Sequence, residues 1–255
     1  LQRFEAYYPG CTGKTTERAY VKTALFVLSK LGVTIKLLED VPCCGALEGK
    51  LYNRELVRGL AKIINREAGG RVMTGCSGCY NTINRSGGSA IHLVDFLARE
   101  VGLEEIAGKI VRRVDLKVAP YYGCQALRPK EIAIDDPEDP KVLEKILSLT
   151  GAQPIDFPMR TKCCGGPIVL REPKLAIKMA RDIVNSAKNS GAEAIATMCN
   201  LCHFMLDFYT SGLPILHFTQ ILAYSMGMPL DDLGLEDLFN PPRKEFWKVY
   251  REGLM

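Results

Sequence analysis

Ten cysteines in 255 residues, laid out twice in the same order, constrain this chain more than any other feature. The first set is Cys11, Cys43, Cys44, Cys76 and Cys79, and the second is Cys124, Cys163, Cys164, Cys199 and Cys202. Each set reads as a single cysteine, an adjacent pair and a CxxC, with 31 to 38 residues between the parts. The flanks agree as well: YYPGC answers YYGC, PCCGA answers KCCGG, and GCSGCY answers MCNLCH. Matching cysteines are 113 to 123 positions apart, which indicates a duplicated domain and not a stack of short repeats. The expected division is a first lobe at 1–110, a second at 111–226 and a C-terminal extension at 227–255.

Between the cysteines the hydrophobic pattern alternates between the two regular periods. RFEAYY, TIKLLED and RVMTG read as strands, while TERAYVKTALFVLSKLG and LYNRELVRGLAKIINREAGG read as helices stopped by glycine. The second half repeats this, with LKVAPYY, QPIDFP and AIATM as strands and KVLEKILSLTG and PKLAIKMARDIVNSAKNSG as helices. Such alternation predicts an α/β fold of two similar Rossmann-like lobes, each a parallel sheet with helices on both faces. Every cysteine group follows a strand and precedes a helix. All ten are therefore expected at the carboxyl ends of strands, where open sheets bind ligands and helix N-termini favour an anionic centre.

Five thiols at one sheet edge are too many for the commonest centres. A structural zinc and a cubane [4Fe–4S] cluster each take four ligands. Zinc in place of a cluster leaves one thiol unused in each half, with the second doublet cysteine as a buried bystander. An iron–sulfur centre of unusual nuclearity or shape uses all five, if one thiolate bridges two irons and the doublet serves different irons. Adjacent cysteines suit that role, because their side chains diverge and a disulfide between neighbours is strained. Gly45 and Gly165 would let the backbone approach closely. Disulfide frameworks belong to small loop-rich secreted chains, so long helix and strand patterns favour a reducing compartment, here the cytoplasm.

Composition excludes other classes. A net charge of +4 with scattered Lys and Arg gives no nucleic-acid stripe. No apolar run reaches the length of a membrane span. LQRFEAYYPG runs straight into a strand and is not read as a signal peptide, while a leading Leu1 suggests a processed or incomplete N-terminus.

At its cysteines the chain resembles the paired CCG domains of the B-type subunit of heterodisulfide reductase, and YGCQALRP, DDPEDP, LTGAQPIDFP and CNLCH extend the likeness over nearly the whole length. The resemblance implies two noncubane [4Fe–4S] clusters near the lobe interface, each held by the five cysteines of one half. It also implies reductive cleavage of a small disulfide, in methanogens the mixed disulfide of coenzyme M and coenzyme B. Opening a disulfide takes two electrons and yields two thiolates, so two one-electron centres facing one substrate could each supply one. Relatives of this architecture also serve sulfur oxidation, quinone-linked complexes and succinate or fumarate conversion, which makes an electron-transfer subunit the alternative. The implied partners are a ferredoxin-like iron–sulfur subunit and, through it, a flavin subunit, since the chain has no motif of either kind. Those partners would also provide any membrane association.

Other residues carry weaker signals. GCTGKTT follows a strand, yet a phosphate-binding loop needs glycine where Tyr8 stands, and Lys14 reads as a solvated lysine. His92 and His217 occupy equivalent places and read as packing or capping residues, or as supports behind a cluster. His203 follows Cys202, has Tyr80 as its counterpart, and is the candidate proton donor to a leaving thiolate. Arg128 and Lys162, beside cluster cysteines, are candidates for holding a carboxylate, sulfonate or phosphate. KEFWKVYREGL places Phe246, Trp247, Tyr250 and Leu254 near one helical face, either for packing on the second lobe or for docking a partner.

Overall fold

The computed structural model describes residues 3–47 and 49–242. β1 (Arg3–Tyr7), β2 (Val33–Leu37), β3 (Val72–Thr74) and β4 (Ala90–His92) form one sheet in the order β2-β1-β3-β4. β5 (Lys117–Tyr121), β6 (Gln153–Pro154), β7 (Ala194–Thr197) and β8 (Ile215–His217) form a second in the order β6-β5-β7-β8. All neighbouring strands are parallel. The two orders are the same, so the duplication in the cysteines is also a duplication of topology. Continuous burial of β7 and of Val118–Tyr121 in β5 is what parallel strands covered on both faces require. We place the division between the lobes at residues 110/111, in the link between Ala107 and Lys117.

The structure departs from the expected pattern in three ways. The helix expected to begin at Leu51 is two helices, Gly49–Tyr52 and Arg54–Ala68. Asn53 separates them: its backbone is extended, and its Oδ1 accepts from Leu56 N at 2.9 Å as the cap of the longer helix. QPIDFP contributes only two residues to the sheet edge, where Pro154 offers no N–H to the ladder. Each lobe also has a fourth strand, three residues long and ending in His92 or His217.

The lobes pack directly against each other. Helix Arg18–Lys30 of the first lobe lies on helix Phe218–Ser225 of the second, with Thr23 Oγ1 and Thr219 Oγ1 2.8 Å apart. Tyr20, Ala24, Val27 and Leu28 join Phe218, Ile221 and Leu222 in one apolar cluster spanning both lobes. Among the described residues no helix is long and apolar enough to cross a membrane. The segment KEFWKVYREGL, with Phe246, Trp247, Tyr250 and Leu254, lies outside the described residues.

Candidate metal centre

All ten cysteines are free thiols, and each set gathers at the carboxyl edge of its sheet. Cys11 and Cys124 come just after β1 and β5. The CxxC pairs follow β3 and β7, with Cys76 and Cys199 as N-caps of helices Ser77–Arg85 and Asn200–Tyr209. The doublets sit in loops leaving the edge strands, held by matching tyrosines. Tyr8 Oη donates to Pro42 O at 2.8 Å and Tyr121 Oη donates to Lys162 O at 2.7 Å, each on the residue before a doublet.

The doublets diverge as their chemistry requires. Cys43 stays exposed, while Cys44 turns inward to Cys79, with 3.2 Å between the sulfurs. In the second doublet Cys163 is likewise the more exposed member and Cys164 is buried. Gly45 N and Gly165 N each donate to the first doublet sulfur at 3.4 Å. The sets then meet: Cys76 Sγ of the first lobe lies 4.0 Å from Cys199 Sγ of the second. Sulfur thus lies against sulfur within the first lobe, at Cys44 and Cys79, and across the lobe boundary, at Cys76 and Cys199.

The donor set suits a cationic centre. Cys43 is pushed down to about 2, chiefly because Cys11 donates to it, with Cys44 as a second donor. Cys44 is correspondingly pushed up to about 12 by donating to Cys43. Cys163 is lowered to about 3 for the same reason, with Cys124 as the leading donor. Without a cation, one sulfur in a group is a thiolate only because its neighbours keep their protons. Deprotonating every thiol in so small a space needs positive charge among them, which a metal centre supplies. Space is present: all five cysteines of the first set line a cavity of about 220 Å³, with Leu47, Gly78 and Leu201 of the other lobe in its wall. Gly10 and Gly123 keep the sulfurs clear. Both have positive φ, and a Cβ on either would come within 3.0 Å of Cys79 Sγ or Cys202 Sγ.

The remaining candidates fall in different places. His92 is buried and faces Val94 N (3.2 Å) and Ser77 Oγ (3.3 Å); burial holds it neutral, lowered to about 4. His203 lies not at the cavity but in a buried group with Glu17 and His217. Its Nε2 donates to Ile215 O at 3.0 Å, and its Nδ1 is 2.7 Å from Glu17 Oε2, close enough for an ion pair but poorly aligned as a hydrogen bond. His217 Nε2 donates to the same oxygen at 2.6 Å. Burial raises the cost of charge on Glu17, yet the two histidines hold it down to about 2. Glu17 escaped sequence reading, since no local pattern connects it to a histidine 200 positions away.

Arg128 points outward to Glu138 at 2.9 Å and to Pro137 O. Lys162 is exposed beside Cys163, and among the described residues no ion pair involves it. Lys14 is not simply solvated: its ammonium straps the loop before the first doublet by donating to Glu39 O and, at 2.9 Å, to Val41 O.

Comparison with known proteins agrees with this geometry. The CCG family, a cysteine-rich domain, matches residues 5–84 and again 118–207. The chain is 28% identical to the 8-methylmenaquinol:fumarate reductase membrane anchor subunit of Wolinella succinogenes, over 92% of this chain and 96% of that protein. It is 25% identical to the B-type subunit of the ferredoxin/F(420)H(2)-dependent CoB-CoM heterodisulfide reductase of Methanosarcina acetivorans, over 90% of this chain and 91% of that one. In fold it resembles a hypothetical protein from Helicobacter pylori, at a TM-score of 0.69 and 10% identity, covering 95% of this chain and 53% of the other.

Proposed function

Because this chain belongs to the CCG family of cysteine-rich iron–sulfur domains, we propose that it is the disulfide-acting subunit of a heterodisulfide reductase-like complex. On this reading each set of five cysteines holds a noncubane [4Fe–4S] cluster. The observation that carries it is the gathering of each cysteine set at one sheet edge, with the sets meeting across the lobe boundary at Cys76 and Cys199, which would bring two centres side by side. When bound, such clusters supply single electrons and iron for sulfur to bind. The protein's own part is to place them. Cys11 and Cys43 are exposed, so the outer end of the first set opens towards incoming substrate. Lys162 offers an exposed positive charge beside Cys163 for an anionic substrate tail, whereas the Arg128 guanidinium is engaged with Glu138. His203 is held by its hydrogen bond to Ile215 O and its ion pair with Glu17, and we assign it to orientation ahead of proton delivery.

The proposed partners are a ferredoxin-like iron–sulfur subunit and, through it, a flavin subunit, with membrane contact arising from such partners around a cytoplasmic protein. Similarity to subunits of two named reductases supports an assembly of this kind. A second reading, an electron-transfer subunit of a fumarate-linked complex, is supported by the likeness to the Wolinella succinogenes protein. Turnover separates the two. The isolated, chemically reduced protein should consume the coenzyme M–coenzyme B heterodisulfide, and Cys199→Ala should abolish this while the first set keeps its iron. Loaded protein that passes electrons to an acceptor dye but leaves the heterodisulfide intact would make electron transfer the better account.

A further inference from the structure

Glu17 stands six residues after Cys11 and is 3% exposed at the lobe boundary, where it meets His203 and His217 of the second lobe. Two histidines and a carboxylate are a zinc-type donor set, so a metal ion is the first reading to weigh. The geometry opposes it. The two imidazoles stack with centroids 3.9 Å apart and planes at 17°, so their in-plane lone pairs run nearly parallel and do not meet at one ion. Bonds of about 2 Å to a tetrahedral ion also set its ligands roughly 3.3 Å apart. Glu17 Oε2 is only 2.6 and 2.7 Å from the two nitrogens, which is hydrogen-bonding distance.

We infer that Glu17 is a positioning residue that clasps the second CxxC helix to the loop after Cys11, and so keeps Cys76 and Cys199 in contact. His203 lies in the first turn of that helix, directly after Cys202. His217 ends β8, the strand beside the one that leads into the helix, and stacks on Tyr20 at 4.0 Å. Other polar ties from this helix start to the first lobe are neutral, among them Asn200 Nδ2 to Pro9 O at 3.2 Å and Tyr20 Oη to Met198 O at 3.4 Å. Glu17 gathers two imidazoles of the second lobe on one oxygen, from the turn that follows the short helix carrying Cys11. Without it the helix start is held to the first lobe by the neutral ties and packing that remain, and the sulfur most affected is Cys199, its N-cap.

This inference uses the iron–sulfur reading for one arm of its test and is independent of it in the other. In loaded protein with both centres reduced, Glu17→Ala should weaken their spin–spin coupling several-fold in electron paramagnetic resonance, at unchanged iron content. In metal-free protein, diamide, an oxidant that takes two electrons and two protons from a thiol pair, should join Cys76 to Cys199 across the lobes. Cys44 and Cys79, 3.2 Å apart within one lobe, give an internal standard. Glu17→Ala should lower the ratio of the first cross-link to the second at least threefold, read by peptide mass spectrometry. Tyr122→Phe, which breaks a buried bond to Glu144 within the second lobe, should leave the ratio unchanged. If Glu17→Ala does not fold, Glu17→Gln decides alone; it keeps an oxygen for His217, loses the ion pair, and should show a smaller drop. An unchanged ratio in these variants overturns the inference, as does stoichiometric zinc that is lost on replacing Glu17. Wild-type protein without iron and sulfide would count against the proposed function and leave the cross-linking result standing.

Discussion

The two lobes share a sulfur frame and differ in what ties each of them to the other. On one side of the Cys76–Cys199 contact, neutral side chains donate to main-chain carbonyls: Tyr80 Oη to Ile132 O at 2.7 Å, and Asn81 Nδ2 to Gln125 O at 2.9 Å and Arg128 O at 2.6 Å. On the other side, His203 stands where Tyr80 stands, and a buried carboxylate takes the place of those carbonyls. Neutral bonds to carbonyls set orientation at modest energy. A buried charged cluster is unforgiving, because losing one member strands the charge of another. Duplication therefore preserved the cysteine-bearing edge and left the surrounding electrostatics unequal, so two matching sets of thiols sit in different fields.

The largest effects are expected at the sulfurs themselves. Cys43→Ala and Cys44→Ala should each cost roughly half the iron, taking four irons per cluster, and leave the spectrum of the other centre in place. Cys163→Ala and Cys164→Ala should do the same for the second lobe. A silent replacement at Cys44 or Cys164 would break the equivalence and return that half to four ligands.

Next comes the pair of ties. Glu17→Ala should lower stability by about 3–5 kcal/mol, the usual loss on stranding a buried charge. Tyr80→Phe should lower it by about 1–3 kcal/mol, the cost of leaving the Ile132 carbonyl unsatisfied. Chemical denaturation of the two variants measures both, and equal losses would remove the contrast between the sides.

Gly10→Ala and Gly123→Ala test the likeness of the lobes and not their difference. Each forces a left-handed backbone at about 1–2 kcal/mol and crowds a cysteine sulfur, so iron should be retained less firmly in the lobe that carries the change. Similar losses support one shared frame. A loss in only one lobe would mean that the other sulfur edge can yield.

The smallest effect per residue is the pH dependence. His92 and His217 are lowered to about 4 and about 3, mainly by burial, so both stay neutral when folded and protonate more readily when unfolded. Their contribution is complete above the unfolded value near 6.5 and declines as pH falls from there towards 4 and 3. His203 is raised by Glu17 and acts in the opposite sense, contributing below 6.5 and losing its contribution as pH rises through its folded value. On acidifying from pH 6.5 to 5.5 His92 and His217 each lose about 1 kcal/mol, offset only in small part by His203, and the net loss is measurable in denaturation curves. Replacing His217 with Gln should flatten that slope.

Much of this was legible in the sequence because repeated cysteines mark both the duplication and the sheet edge on which they gather. The β–α alternation placed the longer elements, whose apolar periodicity runs over many residues. Strands of three residues, Ala90–His92 and Ile215–His217, are too short to show a period, and only the repeated histidines marked their ends. The break at Asn53 came from a single capping side chain inside a pattern that otherwise reads as continuous helix. His203 was noticed as the member without a histidine counterpart. Glu17, which explains its setting, comes from the far end of the chain, and pairing at that distance leaves no trace in local spacing. Lys14 was misread for a related reason, since the carbonyls it straps belong to a loop 25 and 27 positions away.

Iron and acid-labile sulfide per chain, measured on protein purified without oxygen, test the central claim most directly. Two centres of five cysteines each predict about eight irons and a similar amount of sulfide. About two zinc ions with no sulfide would contradict it, and would mean that one thiol in each set is not a ligand.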